Sequence, residues 1–401
     1  KPVVESWLST ARIGGVQLKP DSITLDILMD ADDKSLPKKG GEGESKEASQ
    51  EAIIKSWENW DSFLFYQINA IMGQPVTEDE KSSILETLLD MRYEFVQELN
   101  EGNLRQDIAT RQFAQSWEKL GPIFKKHLFN KLSSNPADFL SLITTLDAFV
   151  ALNKSGFNII PNMNLNGLLQ LARLMGDKDA DKKMAYNTGV DNNVRTFFGL
   201  GKGIEETGPS LNKFEISAPS SFLAGIDDTK TGAATDKNDD SPSQTQYEKE
   251  FDQIKPLVFK KAELTPYLDQ VKRFLDQGSN NILSKTLLNV KYHPLLKMLV
   301  FSAAWQESCW RQFIVKGGKV GPITSYNNTS VGMMQINERV WRGIYKPDNL
   351  RWNMEYNIRA GSEILELYLR KYALRYKEAQ TMNIDTLAMA VYAMYNGGPG
   401  Q

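Results

Sequence analysis

The stretch LVFSAAWQESCW, residues 299–310, sets one carboxylate, Glu307, among apolar neighbours. Burying an ionised carboxylate is costly unless it is paired. The other outcome is a proton held to a raised pKa, which makes the group a donor near neutrality. Val300, Ala303 and Glu307 follow one helical stripe, and Ala303 is small enough to leave room for a ligand beside the carboxylate. Arg311, four residues on, offers the plainer alternative of a helix ion pair. Two further stretches could face the same group. NNTSVGMMQINERVW (327–341) brings Gly332, where backbone could approach a ligand, and Gln335, whose amide both donates and accepts. Met333 and Met334 read by type as core filler. DTLAMAVYAMYNGGPG (385–400) reads as a helix with Asp385 as N-cap, running to about Tyr395 and stopped by Asn396-Gly397-Gly398-Pro399. It would hold a phenol and an amide at the end of a rigid element.

These residues need elements to position them. Pro294 suits a first helical turn, which makes His293 beside it structural. Met298 to Gln306 carry no charge on any face, so that helix is expected to be buried all round. Farther upstream, Ile53, Trp57, Trp60, Leu64 and Ile71 form an apolar stripe. Thr77 and Glu80 make a capping-box pattern ahead of Ile84, Leu88, Met91, Phe95 and Leu99. Apolar stretches over 113–132 and 139–152, with short connections, suggest antiparallel helices of a bundle. Ile23, Leu25 and Ile27 alternate with polar residues, a short strand signal. The polar stretches 31–50 and 227–246 lack large hydrophobics and read as a mobile loop and a linker. The resulting expectation is a mainly α chain. A helical N-terminal module with a few short strands spans 1–226, and a C-terminal domain spans 247–401.

Composition removes several function classes. A net charge of −3 gives no general attraction to nucleic acid or anionic membranes. No run approaches the roughly 20 apolar residues of a membrane helix. Cys309 is the single cysteine, so no intrachain disulfide forms, and with two histidines, His127 and His293, no metal site or other cofactor is expected. DKDADKK (177–183) opens like a calcium loop, but Lys182 stands at the turn glycine and Thr188 at the closing Glu. GLGKG (199–203) lacks phosphate-loop spacing and reads as a loop. A first residue of Lys1 rather than Met is consistent with a removed signal peptide.

Taken in order, QES (306–308), GMMQI (332–336), NIRAG (357–361) and AMYNGGPG (393–400) resemble the catalytic domain of the soluble-type (SLT, family 1) lytic transglycosylases. The resemblance covers roughly 285–401 and implies a goose-lysozyme-like α fold. It implies that Glu307 is the single acid/base and that Ser308 orients the substrate or the carboxylate. Gly332, Met334 and Gln335 would line the cleft, with Tyr395 and Asn396 closing it. The implied substrate is the glycan strand of peptidoglycan, cut at the MurNAc–GlcNAc β-1,4 bond without water to leave a 1,6-anhydro end. The implied place is the periplasm or envelope of a bacterium, Gram-negative by expectation. The resemblance leaves the N-terminal module unassigned: shaping a glycan-strand channel, binding an envelope protein partner and restraining the enzyme are its open readings.

Three departures from the family's pattern stand out. The gap between Glu307 and Gly332 is long, so VKGGKVGPITSY (315–326) is expected as an extra loop by the cleft, with Tyr326 as its sugar-binding aromatic. Ile364 stands where many relatives have a tyrosine, so either Tyr368 or Tyr392 supplies a phenol or the site does without it. The chain ends at Gln401, where relatives continue into a further helix. Two other readings remain. A muramidase or chitinase-like hydrolase would need a second carboxylate, with Glu338, Asp348 and Glu355 as candidates. An inactive peptidoglycan-binding scaffold would need none.

Overall fold

The structure, a computed structural model, describes residues 12–13, 16–17, 44–154, 165–176, 179–204, 216–217, 251–375 and 378–400. It is mainly α. Contacts divide the chain into two compact units, Lys1–Asn187 with Thr196–Phe198, and Thr188–Arg195 with Gly199–Gln401. The strand signal at Ile23, Leu25 and Ile27 and the stretch 227–246 lie outside the described residues.

In the first unit a two-residue pair of strands, β1 (Arg12–Ile13) and β2 (Val16–Gln17), precedes the helices. These are α1 (Glu44–Ile71), α2 (Glu78–Asn100), α3 (Ile108–Leu132), α4 (Pro136–Lys154), α5 (Leu165–Leu174) and α6 (Ala180–Lys183). α1 starts inside the 31–50 stretch expected as loop, because ESKEASQEA is rich in good helix formers and nothing there breaks the helix. At α2 the box is complete: Thr77 accepts from the Glu80 N–H while the Glu80 carboxylate accepts from the Thr77 N–H. α3 packs on α1, α2 and α4. Aromatic contacts join them, with Trp57 stacked on Phe95 at 3.8 Å and Phe113 edge-on to Trp60 at 4.7 Å. Within that core Arg92 and Asp61, both wholly buried, pair at 2.7 Å. His127 is buried with Nε2 3.0 Å from Glu80, a structural place.

The second unit begins at Thr188 and takes in the part of α7 (Asn192–Phe197) up to Arg195. Arg195 is buried and donates to Glu363 (2.9 Å) and to the Ile344 carbonyl (3.1 Å). After β3 (Ile216–Ser217) come α8 (Leu264–Leu283), α9 (His293–Ser308), β4 (Phe313–Lys316), β5 (Lys319–Pro322), β6 (Ser330–Val331) and β7 (Ile336–Asn337). α10 (Pro347–Trp352), α11 (Met354–Leu367) and α12 (Ile384–Gly397) follow. α11 is the hub, with α8, α9, α10 and α12 all packed on it. Asn353 caps α11 by accepting from the Tyr356 N–H.

The expected extra loop is a hairpin. β4 and β5 pair antiparallel with Lys316 opposite Lys319, so Gly317-Gly318 form a two-residue turn, both at positive φ (57° and 78°). Such a turn matches strand twist and favours glycine at both places. β3 adds to the free edge of β5, and Phe313 and Val320 bury themselves with Phe251, Ile254, Val258 and Trp352.

Candidate active site

Glu307 sits in the last turn of α9. The helix stops because Cys309 and Trp310 both take left-handed backbone angles, φ 52° and 60°. That reversal carries Arg311 off the helical path, and its Nε donates to the Ser308 carbonyl at 3.2 Å. The helix ion pair that spacing offered as the alternative therefore does not form. The partner of Glu307 is Tyr392, whose hydroxyl donates to Oε1 at 2.7 Å. Burial raises the Glu307 carboxyl above its ordinary value, and the hydrogen bond from Tyr392 partly opposes that rise. α9 is not buried all round. Leu296, Val300, Ala303 and Ala304 face the core, whereas Met298 and Trp305 are 46% and 53% exposed. The uncharged run is a core stripe beside an apolar face open to solvent.

Two buried side-chain amides build the turn that follows. Gln312 accepts from the Met333 N–H at 2.8 Å and donates to the carbonyls of Leu350 (3.0 Å) and Arg351 (2.8 Å). Asn357 accepts from the Met334 N–H at 2.8 Å and donates to Val331 (3.0 Å) and Leu350 (2.9 Å). Gly332, at φ 76°, lies against both: a Cβ there would meet Asn357 Cγ at 2.7 Å and Gln312 Nε2 at 2.8 Å. Its missing side chain thus makes room for the protein's own amides rather than for a ligand. Gly361 does the same for Met334, whose Cγ and Cε would lie 2.7 Å from a Cβ. NIRAG is therefore a support for GMMQ, through Asn357 from one side and Gly361 from below.

The expected site residues separate accordingly. Met334 is wholly buried and Gly332 is buried, so neither presents a side chain to a cleft, because the turn folds inward onto α11. Gln335, half-buried at φ 45°, donates from Nε2 to the Gly332 carbonyl at 2.7 Å and leaves Oε1 as an open acceptor. Ser308 is buried. Its hydroxyl donates back to Ala304 (3.1 Å) and accepts from the Arg311 N–H (3.1 Å), which makes it part of the helix stop. Tyr395 donates to the Met334 carbonyl at 2.7 Å, tying α12 to the turn. Its ring stacks with that of Tyr392, centroids 6.4 Å apart and 11° from parallel. Asn396 is exposed one turn beyond Tyr392. Asn383, not Asp385, caps α12, accepting from the Asp385 N–H at 3.1 Å. Tyr326 is 90% exposed. It stands on a loop whose ends are held by Ile323 N–H to Gln312 and Gly332 N–H to Ile323, both 2.8 Å.

Gln312 and the role of Asn357 are not indicated by the sequence, and Tyr392 is there only one of two candidate phenols. Tyr392 carried one usable signal, its place three residues before Tyr395 on the same helical face. Of the two phenols weighed against Ile364, Tyr392 reaches Glu307, while Tyr368 is buried beside Trp341 and Tyr372. The other carboxylates have partners or places of their own. Glu338 forks onto Arg351 at 2.7 and 2.6 Å, Glu355 lies 3.9 Å from Arg359, and Asp348 is in the first turn of α10. Among the described residues no cluster could hold a metal ion. His293 opens α9 with its Nε2 3.2 Å from the Leu288 carbonyl.

Residues 291–401 match the family model described as the transglycosylase SLT domain. No curated protein and no solved structure matches the chain.

Proposed function

We propose that the SLT domain at residues 291–401 makes this chain a peptidoglycan lytic transglycosylase, cutting the MurNAc–GlcNAc β-1,4 bond with Glu307 as its one acid/base. The observation that carries this reading is the isolation of Glu307. It is half-buried, held by a phenol instead of a cation, and inclined by burial to keep its proton. A carboxyl in that state can protonate the bridging oxygen as the bond breaks. The same group, now a carboxylate, then takes the proton of the muramyl 6-hydroxyl as that oxygen attacks its own anomeric carbon. The product is a 1,6-anhydro ring, and no water is consumed. Because the nucleophile is already attached to the substrate, its effective concentration is high. Gln335 Oε1 and Asn396 offer the polar contacts that sugar hydroxyls and N-acetyl groups need.

The hydrolytic alternative requires a second carboxylate free to activate water. Glu338 has both oxygens engaged by Arg351, which weighs against that role. An inactive scaffold would have no use for a desolvated acid. In this reading the enzyme works on the bacterial cell wall, in the periplasm, and residues upstream of the SLT domain contact an envelope partner. No helix of the described residues is long and apolar enough to cross a membrane. Digestion of sacculi in 18O-labelled water tests the chemistry: the transglycosylase reading predicts products without label. Label at the new reducing ends would move the enzyme to the hydrolases.

A further inference from the structure

We propose that Tyr392 is the positioning residue of this site: by donating to Oε1 of Glu307 it makes Oε2 the oxygen that gives up and takes back the proton. The inference rests on the reading of Glu307 as the acid/base. Each carboxyl oxygen could in principle carry the proton. An oxygen that already accepts a 2.7 Å bond from a phenol is the carbonyl-like one, so the hydrogen goes to the other. In the first step the proton leaves Oε2 for the glycosidic oxygen as the C–O bond breaks. In the second Oε2 recovers a proton from the 6-hydroxyl as the new C–O bond forms. Between the steps the phenol still donates to Oε1, and its bond to the now ionised group is stronger.

The phenol itself is fixed. Tyr395, one turn along α12, is pinned to the Met334 carbonyl, and the two rings lie parallel. Burial first, then donation to Glu307, push the Tyr392 hydroxyl up to about 12, with Asn396 acting the other way, so it stays a donor at neutral pH. At the position where the resemblance expects a tyrosine on α11 stands Ile364, 1% exposed. In this chain the phenol comes from α12.

Several charged and titratable groups on the packed elements are engaged or placed away from Glu307. On α8, Tyr267 donates to the Trp310 carbonyl and Asp276 lies 3.8 Å from Lys297 of α9. On α11, Glu355 is near Arg359, Glu363 pairs with Arg195, and Glu366 with Arg370. Arg311 is turned to Ser308, and Asp385 is exposed at the far end of α12. Tyr392 is the group whose hydrogen bond acts on Glu307.

The test is Tyr392→Phe in the full chain, acting on soluble uncrosslinked glycan strands over a pH series. Removing a donor to the carboxylate lets Glu307 hold its proton to higher pH, so the alkaline limb of kcat/KM moves up. At the optimum kcat falls about tenfold, the equivalent of one hydrogen bond to a charged group, while KM stays put. A fall in rate with the limb unmoved would overturn the proposal, since a merely structural phenol gives that result. So would an unchanged rate. Carboxyl carbon-13 titration of Glu307, assigned by its loss in Glu307→Gln, gives the same answer without turnover: an unmoved midpoint in Tyr392→Phe overturns it. Activity persisting in Glu307→Gln would instead sink the acid/base reading beneath it.

Discussion

Replacing Gly332 by alanine tests how the turn beside Glu307 is held. Two costs arise. A residue other than glycine at φ 76° loses about 1–2 kcal/mol to the left-handed backbone alone. The new methyl would also lie 2.7 Å from Asn357 Cγ and 2.8 Å from Gln312 Nε2, so one or both amides must move. Overpacking of this kind costs about 1–3 kcal/mol. A displaced Asn357 would further leave buried partners such as the Met334 N–H without a bond, about 1–3 kcal/mol each. The sum is about 3–8 kcal/mol, a large part of a domain's usual 5–15 kcal/mol. Gly317→Ala is the control, since Gly317 also has positive φ (57°) but nothing within 4 Å of a Cβ. It should lose the backbone part only, about 1–2 kcal/mol. Guanidinium unfolding followed by tryptophan fluorescence reads both variants, and product release from sacculi reads the accompanying loss of function at Gly332. Equal destabilisation of the two variants would refute the claim that Asn357 and Gln312 occupy the space glycine leaves.

Ser308→Ala should cost about 1 kcal/mol of stability in the same unfolding assay and leave the pH profile of cleavage unmoved, because its hydroxyl closes the end of α9. A large rise in KM would show that it contacts substrate instead. For Glu80, burial raises the carboxyl, but bonds from Lys126, the Thr77 N–H and His127 outweigh it and hold the group at about 2, below its ordinary 4.5. A depressed folded-state pKa stabilises above the unfolded value and is lost as pH falls through the folded one. Glu80→Gln should therefore be less stable than the parent at neutral pH, with the gap closing between pH 4.5 and about 2. A gap constant down to pH 2 would contradict that assignment.

What sequence revealed depended on whether the signal was local. The Thr77–Glu80 box, the stripes of α1 and α2 and the start of α9 at His293-Pro294 are each set within a turn or two of helix, and they fold as their spacing indicates. VKGGKV is equally local: paired glycines between valines and lysines specify a hairpin, a signal carried by residue type and not by the length of the gap. The Glu307–Arg311 pair, the alternative that spacing offered, is excluded by something the sequence does not display. Helical spacing ceases to apply once Cys309 and Trp310 reverse the backbone, and no residue type there announces that reversal. Gln312, Asn357 and Tyr392 act across 21 to 85 positions of chain. Such contacts have no period to detect. Arg195 shows the same limit, joining the second unit from far upstream through Glu363.

The most direct test of the account is mass spectrometry of the muropeptides released from purified sacculi by the parent chain and by Glu307→Gln. Gln is nearly isosteric and cannot donate a proton as an acid, so the variant should keep its fold and lose at least about a hundredfold in rate. The parent should release fragments one water lighter than reducing sugars. Reducing-end fragments from the parent, or undiminished release by the variant, would contradict the assignment of Glu307 as the single acid/base of a non-hydrolytic cut.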